Sequence, residues 1–203
     1  GPISAVSAPD RNETNEDLSE VETAFLSDIR AYPFSGVVER YKRLGLSRRK
    51  GNYLKEGLRK KGLILPVEIP TRQGKVVLLD CKEHKDSCTH RNPGIVHEYW
   101  RMKIAERYTK DGYQVTREFP LPSGGYIDIV VRQNDRTIAI GIESGKSDVV
   151  MNAQKALDAD CRHIRMVGTD TGVVQELKTK LADILSTHLH RIQIALCADE
   201  AAD

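Results

Sequence analysis

Residues 124–148, GGYIDIVVRQNDRTIAIGIESGKSD, constrain the fold of this chain more than any other stretch. They read as two short strands rich in Ile and Val, joined by the polar turn Gln133-Asn134-Asp135-Arg136 and followed by a turn of Gly and Ser. Side chains alternate between the faces of a strand, so Tyr126, Asp128 and Val130 share one face of the first strand, and Ala139, Gly141 and Glu143 share one face of the second. Two carboxylates, Asp128 and Glu143, thus stand in otherwise apolar strands. A bare buried carboxylate is costly, so each must be paired or must hold a metal. Lys146, just beyond Glu143, brings an ammonium to the same end of the sheet. Asp on one strand, with Glu and Lys at the end of its neighbour, is the residue set of divalent-metal and phosphoester chemistry.

The 203 residues allow one large or two small domains, and 39% hydrophobic with 30% charged residues describes a soluble globular protein. The net charge of +2 is less telling than its distribution: the first 22 residues are mainly acidic, and a basic block follows at 40–61. No apolar run reaches membrane-spanning length and no signal peptide is visible, so no membrane association is expected and the expected compartment is the cytoplasm. Gly1-Pro2 reads as the remnant of a cleaved tag, which makes the chain an excised fragment of a longer protein. Cys81, Cys88, Cys161 and Cys197 are too few for a disulfide scaffold and are expected to be reduced.

Residues 1–17 are rich in Ser, Asn, Pro and acids, and are expected to be disordered or a linker. Ser19 and Glu22 form a capping box that opens a helix ending before Pro33. A second short helix runs through Val37, Val38, Tyr41 and Leu44 to Gly45, and Ser47 caps a third over 48–61. Tyr53, Leu54 and Leu58 are expected to form the inward face of that third helix. A hydrophobic strand (63–69), a turn (70–74) and a second strand (75–79) complete a unit at 18–80 with the order of a winged helix-turn-helix. The third helix carries Arg48, Arg49, Lys50, Lys55, Arg59, Lys60 and Lys61 against Glu56 alone, with Arg72 and Lys75 at the hairpin tip. That imbalance points to DNA phosphates, with a solvated face in a protein-protein module as the plainer alternative.

The segment 81–93 holds Cys81, His84, Cys88 and His90. These are zinc-type ligands, but the spacing is cramped and lacks two separated knuckles, so a polar interdomain linker is the preferred reading.

From Gly94 a helix over 97–110 carries Val96, Trp100, Ile104 and Tyr108 as a buried stripe, with Glu98 beside it near the helix start. A strand (113–119), the two strands of residues 124–148, a helix (148–158), a strand (163–168), a long helix (171–188) and a last strand (191–197) follow, before a short polar tail. This α-β-β-β-α-β-α-β order, with its acid on the second strand and acid plus lysine at the end of the third, resembles the PD-(D/E)xK nuclease superfamily, the restriction-endonuclease-like fold. The resemblance covers 94–198 and implies an α/β (α+β) protein: an N-terminal winged helix-turn-helix joined to an αβββαβαβ nuclease-like domain, with a tail at 199–203. Holliday-junction resolvase and Mrr-like branches also place a glutamate on the first helix, which Glu98 matches. The winged helix ahead of this domain is similar to C-terminal regions associated with HerA- or FtsK-like ATPases, so an upstream ATPase domain or partner is expected.

The resemblance makes Asp128 a metal ligand, but the family's acid and lysine slots fall on Gly141 and Glu143. Three readings stay open: Glu143 serves as the acid while Lys146 reaches back as the lysine; Gly141 replaces an original acid and disables the site; or the domain binds DNA or pairs subunits through its 171–188 helix and cuts nothing. In an active site, Asp128, Glu143 and Glu98 would hold Mg²⁺ or Mn²⁺ and Lys146 would orient the water or steady the phosphate. Ser147, Asp148 and Gln154 would contact the DNA backbone or shape the site, with a helix N-cap as the plainer role of Asp148. The expected partners are DNA and a second copy of the chain.

Overall fold

The computed structural model describes residues 18–81, 94–159 and 161–202. It is a mixed α/β protein with, among the described residues, eight helices and two sheets. Helices α1 (Glu20–Ala31), α2 (Val37–Arg43) and α3 (Arg48–Lys60) precede a hairpin of β1 (Ile64–Thr71) and β2 (Gly74–Cys81). The capping box at Ser19 forms as the sequence predicts, and the Ser47 hydroxyl accepts from the Lys50 N–H at 3.3 Å to open α3. Gly45, at φ +64°, makes the left-handed turn between α2 and α3. Arg40 is fully buried and pairs with Asp28, which also accepts from Arg43 Nε at 2.6 Å. Those two guanidinium groups, the Arg43 hydrogen bond foremost, hold the Asp28 carboxyl below its usual range. The strands run longer than their hydrophobic cores predict, leaving only Arg72-Gln73 as the hairpin turn.

Helix α4 (Ile95–Lys110) then leads into a five-stranded sheet of β3 (Gln114–Pro120), β4 (Tyr126–Gln133), β5 (Arg136–Glu143), β6 (His163–Gly168) and β7 (Ile192–Leu196). The strand order is β3-β4-β5-β6-β7, antiparallel through β5 and parallel from β5 to β7. Helix α5 (Val149–Asp158) crosses from β5 to β6, and α6 (Thr171–Lys180) with α7 (Ala182–His188) crosses from β6 to β7. Trp100, Ile104 and Tyr108 of α4 pack on Ile129, Val131, Ile138, Ile140 and Ile142 to fill one face. Val130, Ala139 and Met166 fill the other with Val149, Ala153, Val173 and Leu177 from α5 and α6. The strand parity read from the sequence holds along β5 but breaks in β4 at Asp128. Ile127 joins Val130 in the second core, the pairing with β3 skips Asp128 opposite Glu118 at φ +49°, and Asp128 turns toward His97 of α4 instead of sharing the face of Val130.

Two elements differ from expectation. The long helix over 171–188 is two helices broken at Leu181, whose side chain is fully buried under the sheet. Val173, Leu177 and Leu181 thus face this chain's own core. The expected tail begins with a short helix, α8 (Cys197–Glu200). Its Glu200 is buried and accepts from the Tyr108 hydroxyl at 2.5 Å and from Arg165 at 2.6 Å, so the end of the chain is anchored to α4 and β6.

The hairpin belongs to two cores at once. Ile64, Leu79 and Cys81 join Phe25, Ile29, Tyr41 and Leu58, while Ile69 and Leu78 join Trp100 and Ile104. No helix among the described residues is long and apolar enough to cross a membrane.

Candidate active site and basic helix

The acids of the sequence motif sit where β4 and β5 part. Paired residues end at Ile129↔Ile140, and beyond them the Ile142 N–H donates to Asp128 Oδ2 at 2.7 Å, so a side chain takes up a main-chain donor of the sheet. Asp128 Oδ1 faces His97 Nε2 at 3.1 Å. The other imidazole nitrogen, Nδ1, lies 3.5 Å from Glu98 Oε1, too far for a hydrogen bond, so that contact is one of charge. Glu98 Oε2 accepts from Arg101 at 2.5 Å, and Arg101 reaches on to Glu118 at 2.9 Å. One row of alternating charge thus runs Asp128, His97, Glu98, Arg101, Glu118.

Burial disfavours charge on His97, whose side chain is 15% exposed, yet the hydrogen bond and charge of Asp128, with the charge of Glu98, outweigh burial and raise its pKa to about 9. Burial also works against ionised Glu98, and His97 and Arg101 overcome it, so its pKa is lowered. Glu143 behaves differently. It is 2% exposed, and burial, reinforced by the Asp128 charge, raises its pKa against hydrogen bonds from Ser147 and Asn152. The Ser147 hydroxyl donates to Oε2, and Asn152 Nδ2 donates to Oε1 at 3.0 Å.

Gly141 shares the face of Glu143, as parity predicts. A Cβ there would stand 3.3 Å from Met166 Sδ and 3.9 Å from Glu143 Oε1, so a larger residue would point beside Glu143 and need only the thioether to give. Lys146, expected beside these acids, is exposed and makes no hydrogen bond or ion pair among the described residues. Glu98, expected as a metal ligand, has one oxygen clamped by Arg101. Asp148 caps α5 through the Met151 N–H at 3.0 Å, its plainer role. Gln154, expected to contact the DNA backbone or shape the site, lies on the exposed face of α5 bonded to Asp158 at 2.8 Å, because two residues past Asn152 place it on roughly the opposite side of the helix from Glu143.

Sequence reasoning missed His97, Arg101 and Asn152. His97 and Arg101 are one helical turn apart, and Asn152 is one turn beyond the Asp148 cap, so a helical projection from Glu98 and Asp148 was the available signal. Among the described residues, no three His, Cys, Asp or Glu side chains are already gathered in a metal-holding arrangement. Of the zinc-type set, Cys81 is buried at the end of β2, whereas His84, Cys88 and His90 lie outside the described residues.

On α3, Arg48, Arg49 and Lys50 are exposed and make no ion pair among the described residues. Arg59 is held by Glu56 at 2.8 Å and Lys61 by Glu22 at 3.0 Å, while Lys55 is partly buried beside Glu56. Tyr53 faces outward at 80% exposure rather than inward, because Leu54 and Leu58, one turn apart, already fill the narrow inward stripe. At the hairpin tip Arg72 pairs with Asp199 of α8 at 3.1 Å and Lys75 with Glu68 at 2.8 Å. The tip thus sits beside α8, with both cations still largely exposed. Between it, α2 and α4 lies a cleft of about 880 Å³ whose wall includes Arg48, Arg72 and Lys103.

Comparison with protein-family models, with curated proteins and with solved structures returns no match.

Proposed function

We propose that this is a DNA-binding protein in which a winged helix-turn-helix, residues 18–80, presents duplex DNA to a PD-(D/E)xK-type, metal-dependent endonuclease domain, residues 94–198. The observation that carries the reading is the meeting of Asp128, Glu143 and the His97–Glu98 pair at the one end of the sheet where β4 and β5 separate. The exposed trio Arg48, Arg49 and Lys50 supports the DNA half, since unpaired cations at the start of a presented helix are free to displace the counterions of phosphates.

The residues fit a divalent cation. Two carboxylates bracket an imidazolium, so the place already demands positive charge, and Glu98 Oε1 is buried without a hydrogen-bond partner. When bound, Mg²⁺ or Mn²⁺ would supply Lewis-acid activation of water and neutralise charge on the phosphate. The chain's own groups do the rest. Asp128, fixed by the Ile142 N–H, and Glu143, fixed by Ser147 and Asn152, offer preset oxygens. Lys146, unpaired on the exposed turn after Glu143, is free to meet the scissile phosphate.

A second reading, a non-catalytic DNA-binding or dimerisation module of a larger ATPase or regulator, is favoured by Gly141 and by the commitment of both Glu143 oxygens to protein donors. Calorimetric titration of Mn²⁺ with a nuclease assay, on the parent and on Gly141→Glu, separates the two. Binding and cutting by the parent establish the shifted Glu143/Lys146 site. Cutting only by the variant makes Gly141 a disabling substitution, and DNA binding without metal binding or cutting in either protein establishes the second reading.

A further inference from the structure

The row of charge at the site contains one group that the acid-acid-lysine pattern does not use. His97 stands on the first turn of α4 with Nε2 at 3.1 Å from Asp128 Oδ1. Its Nδ1 faces Glu98 Oε1 at 3.5 Å, and both of those atoms are buried without a hydrogen-bond partner. Glu98 in turn is held from behind by Arg101, itself braced by Glu118 at 2.9 Å. A carboxylate behind one imidazole nitrogen, with the other nitrogen turned toward a ligand oxygen, is the arrangement by which proteins orient a metal-binding histidine. Glu98, with one oxygen committed to Arg101, is poorly placed to be the ligand itself.

We infer that His97, oriented by Glu98, presents Nε2 beside Asp128 as the ligand that α4 contributes to the divalent cation, so that the centre takes a nitrogen-accepting ion of the Mn²⁺ class in preference to Mg²⁺. The inference rests on the metal-dependent reading above. The incoming ion replaces the Nε2 proton, which leaves to solvent, and the Nδ1 proton stays toward Glu98. Imidazole suits the transition metals, whereas Mg²⁺ keeps to oxygen ligands and its own waters. The donor that Gly141 cannot supply is thereby made up from the opposite wall of the site, and Mg²⁺ is disfavoured as the working ion. Glu98 becomes a positioning residue.

Pulsed electron paramagnetic resonance of the full chain loaded with Mn²⁺ tests this without any turnover. The parent is expected to show the modulation of a directly coordinated ¹⁴N nucleus. His97→Gln is expected to lose it and to bind Mn²⁺ more weakly by a larger factor than Glu98→Gln, which keeps the modulation and loses roughly tenfold in affinity. Mg²⁺, measured as a competitor for Mn²⁺, is expected to bind the parent more weakly than Mn²⁺ and to lose less on His97→Gln. Mn²⁺ bound to the parent with no nitrogen modulation overturns the assignment of His97 and leaves the metal-dependent reading standing. Modulation that survives His97→Gln overturns it in the same way. Failure of the parent to bind Mn²⁺ at all overturns both, and the nitrogen signal of the parent needs no variant to fold.

Discussion

The two charged regions of this molecule are built in opposite ways. On α3, Arg48, Arg49 and Lys50 project into solvent without ion pairs among the described residues, so their charge stays hydrated and is free for a partner. Where β4 begins and β5 ends, Asp128, His97, Glu98 and Arg101 are largely withdrawn from water and neutralise one another in a row. Such groups survive folding only because each answers its neighbour. The difference separates an adhesive surface, where charges act additively and salt screens them, from a reactive centre, where removal of one member strands the next.

The sharpest break in that comparison is Asp128→Ala. It leaves a buried imidazolium and the Ile142 N–H without their partner, and is expected to cost about 3–5 kcal/mol of stability in urea unfolding, the range for breaking a buried pair. Next comes pH. His97 has a folded pKa of about 9 against 6.5 in the unfolded chain, so the metal-free protein gains stability that is complete below pH 6.5 and is lost as pH rises through 9. The loss is about 3 kcal/mol by linkage and is expected to be absent in His97→Gln, as unfolding curves at several pH values in the presence of a chelator will show. The exposed region responds to salt instead. Arg48→Ala, Arg49→Ala and Lys50→Ala together are expected to weaken duplex DNA binding roughly a hundredfold at low salt, read by fluorescence anisotropy. The slope of log affinity against log salt is expected to flatten by about one unit for each phosphate that is no longer neutralised. The smallest effect concerns what carries α3. A Cβ on Gly51 would lie 2.6 Å from the Tyr41 ring, so Gly51→Ala is expected to lower stability by about 1–3 kcal/mol while leaving the salt slope unchanged.

What the sequence made legible followed from local rules. Alternation placed Glu143 with Gly141, though not Asp128 with Val130, and side-chain chemistry set the caps at Ser19, Ser47 and Asp148. What stayed hidden was set at long range. Glu200 looks like part of a polar tail until Tyr108, 92 residues earlier, and Arg165, 35 residues earlier, are brought to it by the sheet. His97 escapes notice for the same reason, since nothing within its own helix announces Asp128. Tyr53 falls outside the inward stripe by one residue of helical rotation, a quarter-turn or so that composition does not resolve.

The two-faced hairpin has a consequence for how the protein comes apart. Leu78 and Leu79 are sequence neighbours, yet one is buried against Trp100 and its surroundings and the other against Phe25 and its surroundings. Loss of either core strips the strands of half their support, and a two-stranded hairpin alone is only marginally stable in water. Neither half keeps a complete wall when the other melts, so the molecule unfolds as one cooperative body, and a cut between the halves would leave one fragment with a bare apolar sheet face and the other with an open core.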